Sequence, residues 1–377
     1  MNPFILTGPI PDDLFCDRAE ETKLMTKYLT SGSHLLLTSP RRMGKTQLIQ
    51  HVFSQQVIKE NYYTFYVDIL PTTSMSELAL FMGKEILGAI VPRGKKAIEY
   101  FLSFLRSLSG NIGYSIEKGG PVLELGIGDI ERPELTLSEI FNYLGKAGKP
   151  CLFAIDEFQQ VSEYKDARAE ALLRSYIQQT PNCQFIFSGS EQHTLERMFL
   201  SYAKPFYNSA EKMTLRAIPF KTYGDFVHRH FRPSGTDVTE EALSFVYETF
   251  GGTTYYLQKM MHLAYMDAVP DQPVVTEQMK HVLDGILEEN SLYYARQMAQ
   301  LAQHQKQLLV AIAKEGTACG IQSGAFVKKH ALPSQSAVQN AAKALLNIQL
   351  IGYDTKSHAK AYSVSDLFFS HWLRKTY

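Results

Sequence analysis

The stretch His34-Leu-Leu-Leu-Thr-Ser-Pro-Arg-Arg-Met-Gly-Lys-Thr46 decides the fold, because a short apolar run leads directly into a glycine-containing loop. Its second part, Ser39 to Thr46, follows the pattern G-x-x-x-x-G-K-[ST] except at Ser39, which replaces the first glycine. The residues after it, 46–56, have helical character. A strand before the loop and a helix after it are the context this motif requires, and they predict a phosphate-binding loop.

The residue types of this loop suit the phosphates of a nucleotide. Consecutive backbone N–H groups and the positive end of the following helix attract phosphate oxygens. Gly44 lets the backbone approach the phosphates, Lys45 places its ammonium on the β and γ oxygens, and the Thr46 hydroxyl coordinates Mg²⁺. We therefore expect ATP and Mg²⁺ as ligands. The predicted nucleotide-binding residues of the loop are Ser39, Pro40, Arg41, Arg42, Met43, Gly44, Lys45, Thr46 and Gln47.

A pair of carboxylates ends a second apolar run, Leu152-Phe-Ala-Ile-Asp-Glu157. Burying carboxylates is costly, so their position at the end of a buried strand indicates a use, although an ordinary polar strand end is the alternative for the pair alone. Beside a phosphate loop, Asp156 would hold Mg²⁺ through a water molecule. Glu157 would then orient or deprotonate the attacking water.

The next apolar run ends in Phe187-Ser-Gly-Ser-Glu191. In phosphate-loop proteins of this layout, the tip of that strand lies beside the γ-phosphate. Ser188 or Ser190 could therefore form a hydrogen bond to the γ-phosphate or to the attacking water, and a serine-rich strand end without function is the alternative.

Short apolar runs alternate with helical stretches through the first half of the chain, and the runs cover residues 34–38, 63–69, 150–155 and 183–188. This order predicts an α/β fold of the phosphate-loop class, with a parallel sheet and helices on both faces. Near-continuous apolar runs fit strands buried on both sides. An alternating pattern at about 111–130, broken by Lys118-Gly-Gly-Pro121, predicts a β-hairpin inserted before the third strand.

Helical patterns dominate after Pro219, first as a small bundle and then as one longer helix over 277–300. The order helix, helix, turn, helix, hairpin in the last part predicts a winged helix, with Ser334 capping its third helix over 336–347. We expect three domains: a core at 1–218, a helical lid at 219–290 and a winged helix at 291–377.

Composition excludes several classes of protein. The 377 residues are 45% hydrophobic and 20% charged, which is typical of globular domains. No apolar run reaches the roughly 18 residues that a membrane span needs, and the N-terminus lacks the pattern of a signal peptide, so we expect a cytoplasmic protein. The four cysteines are scattered, which disfavours a disulfide framework or a cysteine zinc site.

Formal charge is unevenly distributed along the chain. Residues 291–377 hold ten Lys and Arg against three Asp and Glu, giving +7, and the remainder carries −7. A basic C-terminal segment predicts a polyanion partner, and double-stranded DNA is the leading candidate for a winged helix. The predicted DNA-contacting residues are Gln339, Asn340 and Lys343 on the third helix, with Lys356 and Lys360 on the wing. A winged helix that contacts protein, or that covers its own ATPase domain, is the alternative.

With these motifs in place the chain resembles the archaeal and bacterial ATPases related to AAA+ and STAND proteins, close to the origin-recognition-type ATPases. The similar segments are Phe15-Cys-Asp-Arg-Ala-Glu20, Ser39–Thr46, Ile155-Asp-Glu-Phe-Gln159, Ser188-Gly-Ser190, Met198-Phe199, Lys204-Pro-Phe-Tyr207 and Gly251-Gly-Thr-Thr-Tyr-Tyr256. The resemblance implies that Arg18 lies near the nucleotide and that residues 252–254 belong to a lid. An arginine that many relatives carry after the Pro-Phe-Tyr segment is absent here, and the remaining candidates for an arginine finger are Arg174, Arg197 and Arg216.

The leading functional hypothesis is a nucleotide-driven switch that hydrolyses ATP to ADP and phosphate and contacts DNA through its winged helix. The missing arginine favours slow turnover or turnover that needs a partner. Two rival hypotheses are a DNA-binding regulator with a structural or slowly hydrolysing nucleotide site, and an adaptor that binds a protein partner through the winged helix. Self-association is a further candidate interaction. The sequence leaves the oligomeric state open.

Overall fold

The computed structural model describes residues 2–105, 107, 113–117, 120–124, 130–354 and 361–377. The chain forms two compact units, of which one is Pro9–Arg216 and the other combines Met1–Gly8 with Ala217–Tyr377.

The unit Pro9–Arg216 contains a parallel sheet. Its strands are β1 (Leu35–Thr38), β2 (Tyr63–Asp68), β3 (Gly113–Glu117), β4 (Gly120–Glu124), β5 (Cys151–Asp156), β6 (Cys183–Gly189) and β7 (Glu211–Thr214). The sheet has five strands in the order β2-β5-β6-β1-β7, and every neighbouring pair is parallel. Strands β3 and β4 pair antiparallel at the position of the predicted hairpin. Residues 111, 112, 118, 119 and 125–129 of that predicted segment lie outside the described residues.

Helices alternate with the strands of the sheet. They are α1 (Ala19–Thr30), α2 (Lys45–Ser54), α3 (Gln56–Asn61), α4 (Met75–Ile90), α5 (Lys95–Leu102), α6 (Pro133–Gly145), α7 (Ala169–Gln178) and α8 (Gln192–Leu200). The four strands expected from the apolar runs are β1, β2, β5 and β6, and the predicted α/β fold class is confirmed. Strand β7 has no matching apolar run, because three of its four residues are exposed.

The central strands explain why the sequence pattern is continuous rather than alternating. All six residues of β5 and all seven of β6 are buried, so neither face of these strands meets solvent. Aromatic side chains fill one side: Phe187 packs against Phe158 at 4.7 Å and Phe199 at 4.9 Å between ring centroids. Contacts of this kind add to the free energy gained from burying the rings.

Strand β2 lies at one edge of the sheet, and a side chain covers part of that edge. The Glu85 carboxylate on α4 accepts a hydrogen bond from the backbone N–H of Tyr66 at 3.1 Å. Burial raises the pKa of Glu85, and this hydrogen bond opposes the rise. An unpaired strand edge invites association with other chains, so the contact both protects the edge and fixes the position of Tyr66.

The register of the parallel strands brings their carboxyl ends to one side of the sheet. Asp68 at the end of β2 lies opposite Asp156 at the end of β5, and Thr38 at the end of β1 lies opposite Gly189 on β6. In open parallel sheets, ligands bind outside the carboxyl ends of the strands. The loop after β1 and the acidic pair after β5 therefore meet on the side where such ligands bind.

The second unit consists of helices and one small antiparallel sheet. Its helices are α9 (Phe220–Phe231), α10 (Glu240–Thr249), α11 (Thr254–Met266), α12 (Thr276–Glu289), α13 (Ser291–Ala299), α14 (Gln303–Glu315), α15 (Gly324–Lys329), α16 (Gln335–Asn347) and α17 (Leu367–Thr376). Its strands are β8 (Ala318–Cys319), β9 (Ile351–Asp354) and β10 (Ala361–Val364), which pair in the order β8-β10-β9. The order of α14 to β10 is that of the predicted winged helix.

Two details of this unit bear on the sequence expectations. The single helix predicted over 277–300 is wrong, because the structure has two helices, α12 and α13, separated at Asn290. At Asn290 the backbone N–H and the side-chain amide both donate to the carbonyl of Ile286, the side chain at 2.8 Å. Ser334 caps α16 as expected, since its hydroxyl accepts a hydrogen bond from the N–H of Ala337 at 3.2 Å.

The helical segment and the winged helix share one core within this unit. The Tyr256 hydroxyl on α11 accepts a hydrogen bond from the N–H of Leu367 at 2.9 Å, and the Tyr256 ring packs on Phe368 at 5.0 Å between centroids. Trp372 on α17 donates to the Ser291 hydroxyl at 3.0 Å. The two segments treated as separate domains in the sequence are therefore joined through α17.

The N-terminal residues also belong to this unit. Phe4 is fully buried, and its ring packs between Phe226 and Phe231 at 5.8 and 5.3 Å between centroids. Asn2 donates to the carbonyl of His262 at 2.8 Å. The sequence division places these residues with the phosphate-loop core.

In the part of the chain that the structure describes, no helix is long and apolar enough to cross a bilayer.

Candidate nucleotide-binding site

The loop between β1 and α2 has the backbone shape that the motif requires. Gly44 has φ of 88° and Arg42 has φ of 65°, both in the left-handed region. A Cβ added to Gly44 would meet nothing within 4 Å, so the glycine is needed for its backbone conformation rather than for space. Helix α2 begins directly after it at Lys45, and its first N–H groups open onto the loop.

Lys45 is buried, and its ammonium contacts the residue that departs from the motif. Its Nζ lies 3.2 Å from the Ser39 hydroxyl and 3.4 Å from the Ser39 carbonyl oxygen. Burial lowers the pKa of Lys45 below its ordinary value, while the negative charges of Asp156 and Glu157 oppose that change. Ser39 is itself fully buried, so the replacement of the first glycine supplies a hydrogen-bonding partner for the lysine.

Asp156 accepts four hydrogen bonds. Its Oδ2 accepts hydrogen bonds from the Thr46 hydroxyl at 3.1 Å and from the Tyr66 hydroxyl at 2.6 Å. Its Oδ1 accepts from the Ser188 hydroxyl at 2.7 Å and from the backbone N–H of Glu157 at 3.0 Å. The carboxylate is only 6% exposed, and these four donors meet the requirement that a buried carboxylate be hydrogen-bonded.

Glu157 stands beside Asp156 in an unusual backbone conformation, with φ of 55°. Its Oε2 accepts hydrogen bonds from the N–H and the hydroxyl of Ser190 at 3.0 and 2.9 Å, and another from the Gln159 side-chain amide. A non-glycine residue with positive φ is strained and persists only where the surroundings fix it. These contacts supply that restraint and hold the carboxylate at the tip of β6.

Ser188 and Ser190 were predicted to contact the γ-phosphate or a water molecule. In the structure the Ser188 hydroxyl donates to Asp156, and the Ser190 hydroxyl donates to Glu157. Both serines therefore belong to the site, and in the described contacts they act on the two carboxylates.

Arg18, which precedes α1, contacts the phosphate loop, and its role near the nucleotide stays a prediction. It is 4% exposed and has φ of 69°. Its guanidinium donates to the Arg216 carbonyl at 2.7 Å and pairs with Glu21 at 2.8 Å, and it also reaches the Met43 carbonyl at 3.4 Å. Arg18 thus joins the Glu21 carboxylate to the backbone of the loop and of the segment after β7.

The other predicted residues have different surroundings. Pro40, Arg41, Arg42 and Thr46 are exposed, Met43 is buried and Gln47 is half-buried. Of the three arginine-finger candidates, Arg197 and Arg216 are exposed. The charge of Arg174 acts instead on His34, which precedes β1 at the end of the strand opposite the site. Burial and, second, this charge lower the pKa of His34 to about 4.

Two residues of the site were not predicted from the sequence, Tyr66 and Gln159. Tyr66 lies on β2, and Gln159 follows the acidic pair by two residues. Gln159 is buried against Gly189, where an added Cβ would come within 2.0 Å of its Oε1. The only sequence signal for Gln159 was its place in the segment quoted for the family resemblance, and Tyr66 had none.

The chemistry of the donors fits magnesium. Thr46 and Asp156 present oxygen atoms, which Mg²⁺ prefers, on neighbouring elements at the carboxyl end of the sheet. A hydroxyl has one proton and two lone pairs. The Thr46 hydroxyl donates its proton in a hydrogen bond to Asp156, so its lone pairs can face a cation. Among the described residues no cluster of three or more His, Cys, Asp or Glu side chains could hold another metal.

The polar face of α16 is open to solvent. Gln339, Asn340 and Lys343 are exposed, while Val338 and Leu345 on the opposite face are buried. The predicted wing residues Lys356 and Lys360 lie outside the described residues.

Comparison with known proteins supports the assignment of both parts. Residues 15–260 match a family described as an ATPase domain predominantly from Archaea. The chain belongs to this family. Residues 292–375 match a probable winged helix domain. An uncharacterised ATP-binding protein of Methanocaldococcus jannaschii is 25% identical over 255 residues, which cover 63% of this chain and 68% of that protein.

Solved structures share the fold of this family member at low sequence identity. A Walker-type ATPase of Pyrococcus abyssi superposes with a TM-score of 0.63 at 18% identity, covering 99% of both chains. The ORC2 protein of Aeropyrum pernix, solved in ADPNP–ADP complexes, superposes with a TM-score of 0.55 at 13% identity, covering 99% of this chain and 98% of that one. The predicted membership of an archaeal ATPase family is confirmed by the family match, and these two structures show that the chain shares their fold.

Gly189 and Gly83 provide a matched test of the packing behind Glu157. An alanine at 189 would place its Cβ 2.9 Å from Leu195 Cδ1 as well as against Gln159, whereas an alanine at 83, inside α4, would meet Ile140 Cδ1 at an ordinary 3.9 Å. We expect Gly189→Ala to lower the free energy of unfolding by about 1–3 kcal/mol through overpacking. Gly83→Ala should raise it by up to about 1 kcal/mol. Urea unfolding followed by circular dichroism measures both, and equal effects would contradict the packing described here.

Proposed function

We propose that this ATPase-family protein hydrolyses ATP in the presence of Mg²⁺ and uses the cycle as a switch. The observation that carries the proposal is the meeting of Lys45, Thr46 and Asp156 at the carboxyl end of a parallel sheet, with Glu157 as the next residue. An ammonium, a hydroxyl and a carboxylate in this order supply the charge that a triphosphate and its metal need. In this proposal Glu157 acts on the attacking water.

In this proposal each group of the site has one task. Lys45 exchanges its contacts with Ser39 for contacts to the β and γ oxygens of ATP. Thr46 would hold Mg²⁺ directly and Asp156 through a water molecule, and the bound ion would supply neutralising charge to the phosphates. Glu157 orients or deprotonates water, and Ser188 and Ser190 keep the two carboxylates in place. The nucleotide further contacts residues 39–47 and the surroundings of Arg18.

The switch is proposed to involve the lid of residues 219–290 and the winged helix of residues 291–377. Their shared core through Tyr256 and α17 supports movement of the two segments as one body. Nucleotide-dependent closure of a domain around its ligand is a common form of such transitions. A protein partner or self-association could stimulate the cycle, and we propose that the protein acts in the cytoplasm.

One observation favours a second candidate function, a regulator that hydrolyses ATP slowly. Three donors from Ser190 and Gln159 converge on the single oxygen Oε2 of Glu157. Donors bound to a carboxylate compete with the proton that it would accept from water. Release of these contacts by a partner would then be needed for fast turnover.

Removing the Lys45 ammonium tests the nucleotide site itself. Lys45→Ala should weaken ATP binding by about tenfold or more, because a charge-assisted contact to phosphate is of the order of 1.5–3 kcal/mol. Lys59→Ala is the matched control, since Lys59 is exposed on α3. Calorimetric titration with ATP measures both variants. Equal affinity of Lys45→Ala and wild type would refute the assignment of the loop.

Glu157→Gln separates binding from hydrolysis. The substitution keeps the size of the side chain but removes the base, so ATP should still bind while turnover falls by roughly 100-fold or more. Glu163 is an exposed carboxylate at the end of the short 3-10 helix Phe158–Glu163 that follows Glu157. The control substitution Glu163→Gln should leave turnover unchanged. Phosphate release is the measurement. Unchanged turnover in Glu157→Gln would favour the slow regulator over the active ATPase.

We propose that the winged helix binds double-stranded DNA. The charge of +7 over residues 291–377 and the exposed polar face of α16 support this proposal. Lys343, with Lys356 and Lys360 from the sequence, would each neutralise a phosphate, while Gln339 and Asn340 would face the base edges.

A salt series on the full-length protein tests this DNA contact. With three phosphate contacts, the plot of log affinity against log salt should have a slope of roughly −3, at about −0.9 per contact. Lys343→Ala should flatten the slope by about one, whereas Gln339→Ala should keep the slope and change base preference. Fluorescence anisotropy of a labelled duplex, with and without ATP, is the measurement. Absence of binding at low salt in both conditions would leave the winged helix as a protein-contact module.

A further inference from the structure

Tyr66 is a residue of the site that the phosphate-loop motifs do not include. It occupies the edge strand β2, where the Glu85 carboxylate binds its backbone N–H. Its hydroxyl lies 2.6 Å from Asp156 Oδ2 and 3.3 Å from the Thr46 Oγ1. The phenol thus reaches both residues assigned to magnesium from a third element of the fold.

Proton counting fixes the direction of these contacts. A tyrosine hydroxyl has one proton, and an ionised carboxylate can only accept. The proton of Tyr66 therefore goes to Asp156 Oδ2, which is also the nearer of the two oxygens. Thr46 likewise spends its proton on Oδ2. The lone pairs of the Thr46 and Tyr66 hydroxyls then remain available to accept hydrogen bonds or to face a cation.

The consequence for Asp156 is that its carboxylate has little freedom to rotate. Ser188 and the N–H of Glu157 hold Oδ1, while Thr46 and Tyr66 hold Oδ2. Without the phenol, Oδ2 would depend on the Thr46 hydroxyl alone, at the longer distance of 3.1 Å. When a residue that hydrogen-bonds to a metal ligand is substituted, metal affinity typically falls by about 10–100-fold.

We propose that Tyr66 is a positioning residue of the magnesium site, whose hydroxyl holds the Asp156 carboxylate in the orientation that binds the cation beside Thr46. This inference rests on the proposed function, because it assigns a further residue to the same nucleotide and metal site. It acts through Asp156, and its effect is on the metal rather than on the phosphates.

The test compares Tyr66→Phe with Tyr63→Phe. Both remove one phenolic oxygen from β2, but Tyr63 lies at the other end of the strand, where the Arg93 guanidinium covers its ring at 3.6 Å. Binding of a non-hydrolysable ATP analogue is measured by calorimetry, first in EDTA and then across a series of Mg²⁺ concentrations. The readout is the Mg²⁺ concentration that gives half of the gain in analogue affinity.

Wild type, Tyr66→Phe and Tyr63→Phe should bind the analogue equally in EDTA, which also shows that the variants are folded. The Mg²⁺ midpoint of Tyr66→Phe should rise by about tenfold, the size typical of a lost orienting contact, while that of Tyr63→Phe should match wild type. A purely structural role for Tyr66 would instead weaken binding in EDTA as well, and that result would overturn the inference.

Two other results would also overturn the inference. An unchanged Mg²⁺ midpoint in Tyr66→Phe would show that the hydroxyl does not orient Asp156. A lowered midpoint would show that the phenol competes with the metal for Oδ2. If wild type itself binds no analogue with or without Mg²⁺, the nucleotide site fails and the inference with it, which is distinguishable from failure of the Tyr66 inference alone.

Discussion

A carboxylate is stable inside a protein only when donors surround both of its oxygens, and the site depends on how the fold achieves this at Asp156. Donors come from the helix after the phosphate loop, from the edge strand, from the neighbouring strand and from the next backbone N–H. None of these elements could shift far without leaving a buried charge unsatisfied. The geometry of the nucleotide site is therefore tied to the order and register of the sheet.

The same constraint explains the behaviour of the other charged groups. Burial lowers the pKa of Lys45, and the negative charges of Asp156 and Glu157 partly oppose that change. Ser39 gives the ammonium a neutral partner, and Ser190 with Gln159 does the same for Glu157. A polyphosphate with its cation adds charges of both signs to such a site, so binding exchanges these internal contacts for stronger ones between ions.

The sequence predicted those parts of the site that are formed by residues consecutive in the chain. The loop of residues 39–46 and the strand ending in Asp156 and Glu157 each combine an apolar run with a local motif, and local motifs can be read in order. The single helix predicted over 277–300 is two helices that meet at Asn290, whose side-chain amide donates to the carbonyl of Ile286, and helical periodicity does not resolve such local side-chain contacts.

Contacts between strands could not be predicted in this way. Tyr66 reaches Asp156 only because β2 and β5 are neighbours with Asp68 opposite Asp156, and neither the strand order nor the register is written in either segment. Gln159 depends similarly on Gly189 across the β5–β6 pair. The edge strand β7 has too few apolar residues to be recognised. The contacts of both residues therefore follow from long-range pairing, which no single segment of the sequence specifies.

The central claim, that ATP and Mg²⁺ bind at the carboxyl end of this sheet, is tested most directly by hydrogen–deuterium exchange of the full-length protein with and without the two ligands. Bound phosphates accept hydrogen bonds from loop amides, which slows exchange of those amides. The account predicts slower exchange over residues 39–47, with smaller changes around Asp156 and Ser190. Unchanged exchange in the loop, or protection confined to the unit that contains Ala217–Tyr377, would contradict it.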